Sequence, residues 1–215
     1  MIKLTNINKN FGQRVVLSDI SQSIEKNEFV CITGESGVGK TTLLNIIGLL
    51  DKASSGEVNL CGKNKFSRRE ILELRRNFFG YVFQDYLLMQ DETVEENLNV
   101  SKKYNKQLTN KDVEEVLKRV RLDNSYLSRK VCYLSGGEQQ KVAIARMMLK
   151  PYELVLADEP TGNLDNKNKI EVIEIFKDIK KLGKTIICVT HDKDVADSAD
   201  RIINLKNFQV ELNKW

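Results

Sequence analysis

The sequence predicts an α/β fold with a largely parallel sheet and helices on both of its faces. Three observations carry that expectation. Apolar strand-like runs alternate with segments of helical period. The central runs are nearly continuous in apolar residues, as strands buried on both faces require. A glycine-rich turn joins one of these strands to the helix that follows it.

In chain order, roughly the first 30 residues and the segment 56–62 read as short strands and turns, so an antiparallel sheet is expected near the start. Residues 29–33 form an apolar strand, and residues 40–48 show the apolar period of a helix. A strand is expected at 80–83. From 85 to 133 the chain reads as almost wholly helical: Thr93-Val-Glu-Glu96 has capping-box spacing, and Thr109 can cap a helix bearing Val113, Val116, Leu117 and Val120. Helices at 139–149 and 170–182 and strands at 154–157, 185–190 and 201–205 complete the pattern. One domain is expected over 1–215, with a helical subdomain at about 85–133 inserted into its α/β core.

Composition narrows the function. The chain has 215 residues, 41% apolar and 30% charged, which suffices for a real core and excludes a disordered tail. A net charge of +4, spread without a basic domain, does not mark a nucleic-acid binder. The most apolar run, 43–50, is interrupted by Asn45 and Gly48 and is well short of the roughly 18–20 residues a membrane span needs. The start, Met1-Ile2-Lys3-Leu4, alternates like a strand and lacks the apolar core of a signal peptide. Cys31, Cys61, Cys132 and Cys188 form no CxxC pair and are expected as buried, reduced thiols. A soluble cytosolic protein is expected.

The chemistry begins at Gly34-Glu35-Ser36-Gly37-Val38-Gly39-Lys40-Thr41-Thr42, between a strand and an apolar helix. This is G-x-x-x-x-G-K-[ST] in the context that gives the motif its meaning. The glycines let main-chain N–H groups turn around a phosphate, and the following helix N-terminus adds positive charge. Lys40 is expected to neutralise the β- and γ-phosphates, and the Thr41 hydroxyl to ligate Mg²⁺. Glu153-Leu-Val-Leu-Ala157-Asp158-Glu159 is an apolar strand ending in two acids. Asp158 suits the metal, and Glu159 suits polarisation of the attacking water.

Between these two motifs lies Leu134-Ser135-Gly136-Gly137-Glu138-Gln139-Gln140. With it come Gln84 in Tyr81-Val-Phe-Gln84, Gly162-Asn-Leu-Asp165, and Thr190-His191-Asp192. In this order and spacing the motifs resemble those of the ATP-binding-cassette (ABC) ATPases, and the resemblance covers the whole chain. Gly48-Leu-Leu-Asp51 and the run from Val155 to Asp165 look like the branch serving lipoprotein release, macrolide and peptide export, and FtsE-like complexes.

The resemblance implies a P-loop NTPase of ABC type: a motor subunit that hydrolyses ATP with Mg²⁺ and drives a separate membrane permease. It implies a head-to-tail homodimer with two ATP molecules at the interface. Ser135, Gly136, Gly137 and Glu138 would then meet the ATP held by the partner's Lys40, and Asp165 would tie the two sites together. The helix opened by Ser135 suits a second anion site on its own terms. Gln84 would contact Mg²⁺ and the attacking water, and His191, the one histidine, would bond the γ-phosphate. Phe11, beside Val16, would stack on adenine; its other reading is an ordinary core phenylalanine. The run Asp85-Tyr-Leu-Leu-Met89 and the helical insert would receive a coupling helix of the permease.

The same resemblance places the chain on the cytoplasmic face of the cell membrane and makes export of a peptide, bacteriocin, drug or lipid-linked substrate the leading expectation. The alternatives are a force-transmitting complex without a transported substrate, or an ABC ATPase outside transport. No nucleic-acid partner is expected, since no sustained heptads separate Lys40 from Ser135. Absence of the acidic-Val-Gly loop before Ser135, and a short run after the last strands, suggest a subunit free of a fused permease or regulatory domain. Departures from the family pattern are Val38, Lys141, Arg129-Lys-Val-Cys-Tyr133 without proline, and Asn207 in place of glycine.

Overall fold

A computed structural model describes residues 1–205 of the chain. β1 (Ile2–Phe11) and β2 (Arg14–Ile24) pair as an antiparallel hairpin, with Phe11 opposite Arg14. β3 (Phe29–Thr33) leads through the phosphate loop into α1 (Lys40–Ile47), and β4 (Ser55–Leu60) returns to pair with the other edge of β1. α2 (Arg68–Asn77), started by a Ser67–Glu70 capping box, delivers β5 (Phe79–Val82).

The chain then leaves the sheet through α3 (Val94–Asn99), a 3₁₀ turn at Val100–Lys103, α4 (Asn110–Arg119), and further 3₁₀ turns at Asn124–Tyr126 and Val131–Tyr133. It re-enters by α5 (Gly136–Met148), β6 (Leu154–Asp158), α6 (Asn166–Lys181), β7 (Thr185–Val189), α7 (Lys193–Asp197) and β8 (Arg201–Asn204).

The described strands make two sheets, an antiparallel one in the order β2-β1-β4 and a parallel one in the order β5-β6-β7-β3-β8. Side chains alternate across the parallel sheet as the pleat demands. Val30, Ile32, Leu154, Leu156, Ile187 and Val189 face α1 and the antiparallel sheet. Phe29, Cys31, Val155, Ala157, Ile186 and Cys188 face the core shared with α5, α6 and the helical insert. Adjacent strands β6, β7 and β3 therefore end side by side, and the loops after them converge on one edge, where α/β sheets bind ligands.

The expected strands and helices are present within a few residues, and both expected caps form, Thr93 and Thr109 each within a capping box, with Glu96 and Asp112. Three expectations need correction. The segment 85–133 is not almost wholly helical: it is two short helices and three 3₁₀ turns. Tyr86 and Leu87 take left-handed backbone, at φ 57° and 50°, and the lysine- and asparagine-rich run after Ser101 offers no apolar stripe to hold a helix. All four cysteines are free thiols, but only Cys31 and Cys188 are buried. Cys61 lies in an exposed turn and Cys132 in an exposed 3₁₀ turn, because one apolar neighbour does not bury a loop. The antiparallel sheet is built of long rather than short strands, with irregular register in β1. Asn207 lies outside the described residues.

Candidate functional site

The phosphate loop is shaped by contacts that exclude side chains. A Cβ at Gly34 would lie 2.5 Å from the Leu205 carbonyl oxygen. At Gly39, where φ is 102°, a Cβ would lie 2.8 Å from Leu17 Cδ2 and 2.9 Å from Val16 Cγ1. Gly39 is also the N-cap of α1 and supplies no side-chain cap, which leaves the first amides of that helix to the loop's concave side. Lys40 Nζ donates to the carbonyls of Gly34 at 2.8 Å and Glu35 at 2.9 Å, so its ammonium lies over the loop.

The loop forms one wall of a cleft of about 590 Å³. Ser36, Gly37, Gly39, Lys40, Thr41 and Thr42 line it from the loop, and Gln84, Glu159 and His191 from the strand ends. Phe11 and Val16 line it from the antiparallel sheet. Phe11 is 54% exposed, so the reading as an ordinary core phenylalanine is set aside. Val38 is buried among apolar residues and does not line the cleft, so its side chain fixes the loop to the core and only its main chain can serve a ligand. Glu35 contributes through its carbonyl, which accepts from Lys40 and from the Val38 N–H.

Arg14 also lines the cleft, and sequence reasoning missed it. Its signal was the two-residue turn Gly12-Gln13, which places Arg14 directly across the hairpin from Phe11.

At the strand ends, Thr41 Oγ1 donates to Asp158 Oδ1 at 3.1 Å. Burial raises the Asp158 pKa, with Glu159 adding to the rise and Thr41 and Lys40 opposing it. A hydroxyl and a carboxylate in contact offer the oxygen donors of a hard divalent cation. Among the described residues no group of three or more His, Cys, Asp or Glu could cage a metal. That donor set fits Mg²⁺, which commonly completes its shell with water and substrate phosphates.

Glu159 sits at φ 43°, an uncommon conformation for glutamate, fixed by its N–H donating to Val189 O at 2.9 Å. Its Oε1 meets His191 Nδ1 at 2.9 Å, and its Oε2 accepts the His191 N–H at 3.3 Å. β6 and β7 being neighbours, this pair follows directly from the sheet order.

Ser135, Gly136, Gly137, Glu138 and Asp165 do not line this cleft. Ser135 is the N-cap of α5 in a full capping box: its Oγ accepts the Glu138 N–H and donates to Glu138 Oε2 at 2.8 Å. Tyr126 OH donates to the other Glu138 oxygen at 2.7 Å. Gly137 is buried against Asn168, whose side chain lies 2.2 Å from where a Cβ would be. Asn168 is in turn held by Asp165, the N-cap of α6, through its N–H and its Nδ2, both at 2.8 Å. The run after Gln84 is split: Leu88 is buried, whereas Leu87 and Met89 are exposed.

With this geometry, a strand–loop–helix phosphate cradle beside a carboxylate pair defines a nucleoside-triphosphate-binding α/β protein. The chain belongs to the ABC transporter family, whose model matches residues 17–162. It is 42% identical over 98% of its length to the macrolide export ATP-binding/permease protein MacB of Mannheimia succiniciproducens, and covers 34% of that protein. For MacB of Campylobacter jejuni the figures are 43%, 98% and 33%. The chain thus spans about a third of the length of these relatives.

Among solved structures it resembles the dimeric ATP-binding cassette MJ0796 bound to ADP and Pi, with a TM-score of 0.86, 38% identity and coverage of 98% of this chain and 97% of that one. CbiO1 of Clostridium perfringens, part of an ABC transporter complex, gives 0.85, 30%, 96% and 84%. The fold is that of an ABC-type ATPase. Among the described residues no helix is long and apolar enough to cross a membrane.

Proposed function

We propose that the chain is the ATP-hydrolysing motor of a bacterial exporter. It closes head to tail with a second copy around two Mg²⁺–ATP and so drives a membrane permease from the cytoplasmic face. One observation carries this reading: the chain has two anion-suited helix starts, and they do not meet in one cleft. A two-fold axis brings each Ser135–Glu138 run to the other copy's phosphate loop.

In the cleft, the loop amides and Lys40 hold the β- and γ-phosphates, while Phe11 and Val16 take the adenine. Thr41, Asp158 and Gln84 hold Mg²⁺, which when bound neutralises phosphate charge. Glu159 orients and polarises the attacking water, and His191 holds Glu159 in place and can reach the γ-phosphate. Ser135 and Gly137 supply donors to the same phosphate from the other copy, and Asp165 lies between the two sites. Phosphoryl transfer asks mainly for this positioning and charge neutralisation. The chain works as one ATPase unit over 1–215, with 85–133 as the insert that moves. The relatives' names, which give macrolide export, support export over force transmission alone.

The test is purification of the Glu159→Gln chain from native membranes with ATP, followed by mass spectrometry and sizing. The expected result is an ATP-dependent dimer with a polytopic membrane protein. A monomer in ATP overturns the sandwich, and recovery of ribosomes, DNA or nothing overturns the transport role.

A further inference from the structure

Asp51, in the run Gly48-Leu-Leu-Asp51, does not line the nucleotide cleft, yet it is tied to the cleft in two directions. One is α1, the helix that carries the phosphate loop at its head: the N–H groups of Leu50 and Asp51 donate to the Asn45 carbonyl at 2.8 and 3.2 Å. The other is Lys9 of β1. Its Nζ donates to Asp51 Oδ1 at 2.8 Å and to Lys52 O at 2.7 Å, and lies 2.7 Å from Asp51 Oδ2. The hydrogen bond from Lys9 holds the Asp51 carboxyl below its usual range against the opposing effect of burial, so the pair is charged at neutral pH.

Lys9 is only 8% exposed, which a cation tolerates when it is paired. Its ammonium also lies 4.8 Å from the centre of the Phe11 ring, within cation–π reach. Phe11 lines the cleft and Lys9 does not, so the ammonium and the cleft meet different faces of the ring.

An exposed ring at a hairpin tip needs such a hold. The pairing of β4 with β1 stops at Asn8 and Ser55, so on that side no ladder reaches Phe11. The register of β1 against β2 also shifts on both sides of Lys9. The segment after α1 closes this edge instead. Ser54 N–H donates to Asn8 O at 2.8 Å, Ser54 Oγ accepts the Asn10 N–H at 3.0 Å, and Asp51 and Lys52 take Lys9.

We propose that Lys9, anchored by Asp51, is a positioning residue for the purine base of the nucleotide. Its ammonium fixes one face of Phe11 and leaves the other as a set platform for the base. The charge also draws π-electron density toward the held face, which eases the stacking of an electron-rich purine on the free one. α1 then governs both ends of the nucleotide: its head forms the phosphate site, and the turn after its tail holds the ring through Asp51 and Lys9. The proposal rests on the reading above that Phe11 takes the adenine, and adds what sets the ring.

The test is a double-mutant cycle on the purified full chain, read as steady-state ATP hydrolysis. Lys9→Met is expected to raise KM for ATP by about three- to tenfold with little of the effect in kcat, as for a contact shared by ground and transition states. Phe11→Ala should raise KM on its own, and adding Lys9→Met to it should raise KM no further, because the lysine acts only through the ring. Thermal melts followed by circular dichroism report folding. Should Lys9→Met melt below the assay temperature, Asp51→Asn, at a more exposed position, takes its place in the cycle with the same expected pattern.

If Phe11→Ala raises KM but Lys9→Met does not, or the two rises multiply in full, or the loss falls mainly on kcat, the positioning role is overturned and the adenine reading stands. An unchanged KM in Phe11→Ala removes the adenine reading, and the proposal falls with it.

Discussion

The starts of α1 and α5 present the same physical resource, a set of helix-opening amides, and treat it in opposite ways. At α1 the N-cap is Gly39, in left-handed backbone and without a side chain to offer, so the amides face a cleft. At α5 the N-cap is Ser135, and the capping box with Glu138 satisfies that end from within, reinforced by Tyr126. The first end is built to take its anion whenever one arrives. The second must give up an internal bond, Ser135 Oγ to Glu138, before its hydroxyl can donate elsewhere. In the proposed sandwich, closure around the second end is then the conditional step, made only when a triphosphate is already held by the first.

That contrast can be broken at either end. The largest effect is expected from Glu159→Gln, beside the α1 end: ATP hydrolysis should fall by about 10²–10⁴-fold, the usual worth of a positioned base, with nucleotide binding retained. Steady-state phosphate release and a fluorescent-nucleotide titration check the two halves, and an unchanged rate would remove Glu159 from its role. Next is Ser135→Arg, which should leave nucleotide affinity of the isolated chain intact while lowering turnover by about tenfold or more, because it blocks the second end only. Loss of binding to the monomer would show that the two ends already share one site.

Smaller effects sharpen the picture. Phe11→Ala should weaken ATP binding by about two- to tenfold, the usual value of an aromatic stacking contact, with no change in melting temperature because the ring is exposed. Loss of stability instead would restore the core reading. Asp158→Asn should raise the melting temperature of the nucleotide-free chain at neutral pH while abolishing the Mg²⁺ dependence of nucleotide binding. The sign follows from burial: the folded-state pKa of Asp158 lies above its ordinary 3.8, so the folded chain binds the proton more tightly and loses stability as pH rises through that window. The advantage of asparagine should therefore vanish below about pH 4 in a pH series of thermal melts. Ser135→Ala, which removes only the cap, should cost about 1 kcal/mol in a denaturant titration.

How much of this could be read in the sequence depended on whether a residue acts through pattern or through distant contact. Lys40, Thr41, Asp158, Glu159 and His191 were legible because each sits at a fixed offset from an apolar strand, and parallel neighbours bring such offsets to one edge. Phe11 was singled out only by the family resemblance, and Arg14 was not, since only the hairpin register makes it Phe11's neighbour. Val38 looked like one more loop residue, and its burial depends on Leu17 and the core beneath. Gly137 read as a phosphate ligand, whereas its missing side chain is also space occupied by Asn168, 31 residues on, a contact no local period announces. The insert 85–133 is less helical than its caps imply, because caps mark where helices start and say nothing of how soon they stop.

The Gly137–Asn168 contact has a mechanical consequence. Asn168 fills the place of a side chain on α5 and is pinned twice by Asp165 at the head of α6. Two helix heads are thus meshed like gear teeth with no backlash. A displacement of one head presses directly on the other, and Gly137→Ala, whose Cβ would lie 2.2 Å from the Asn168 side chain, would act as grit between the teeth.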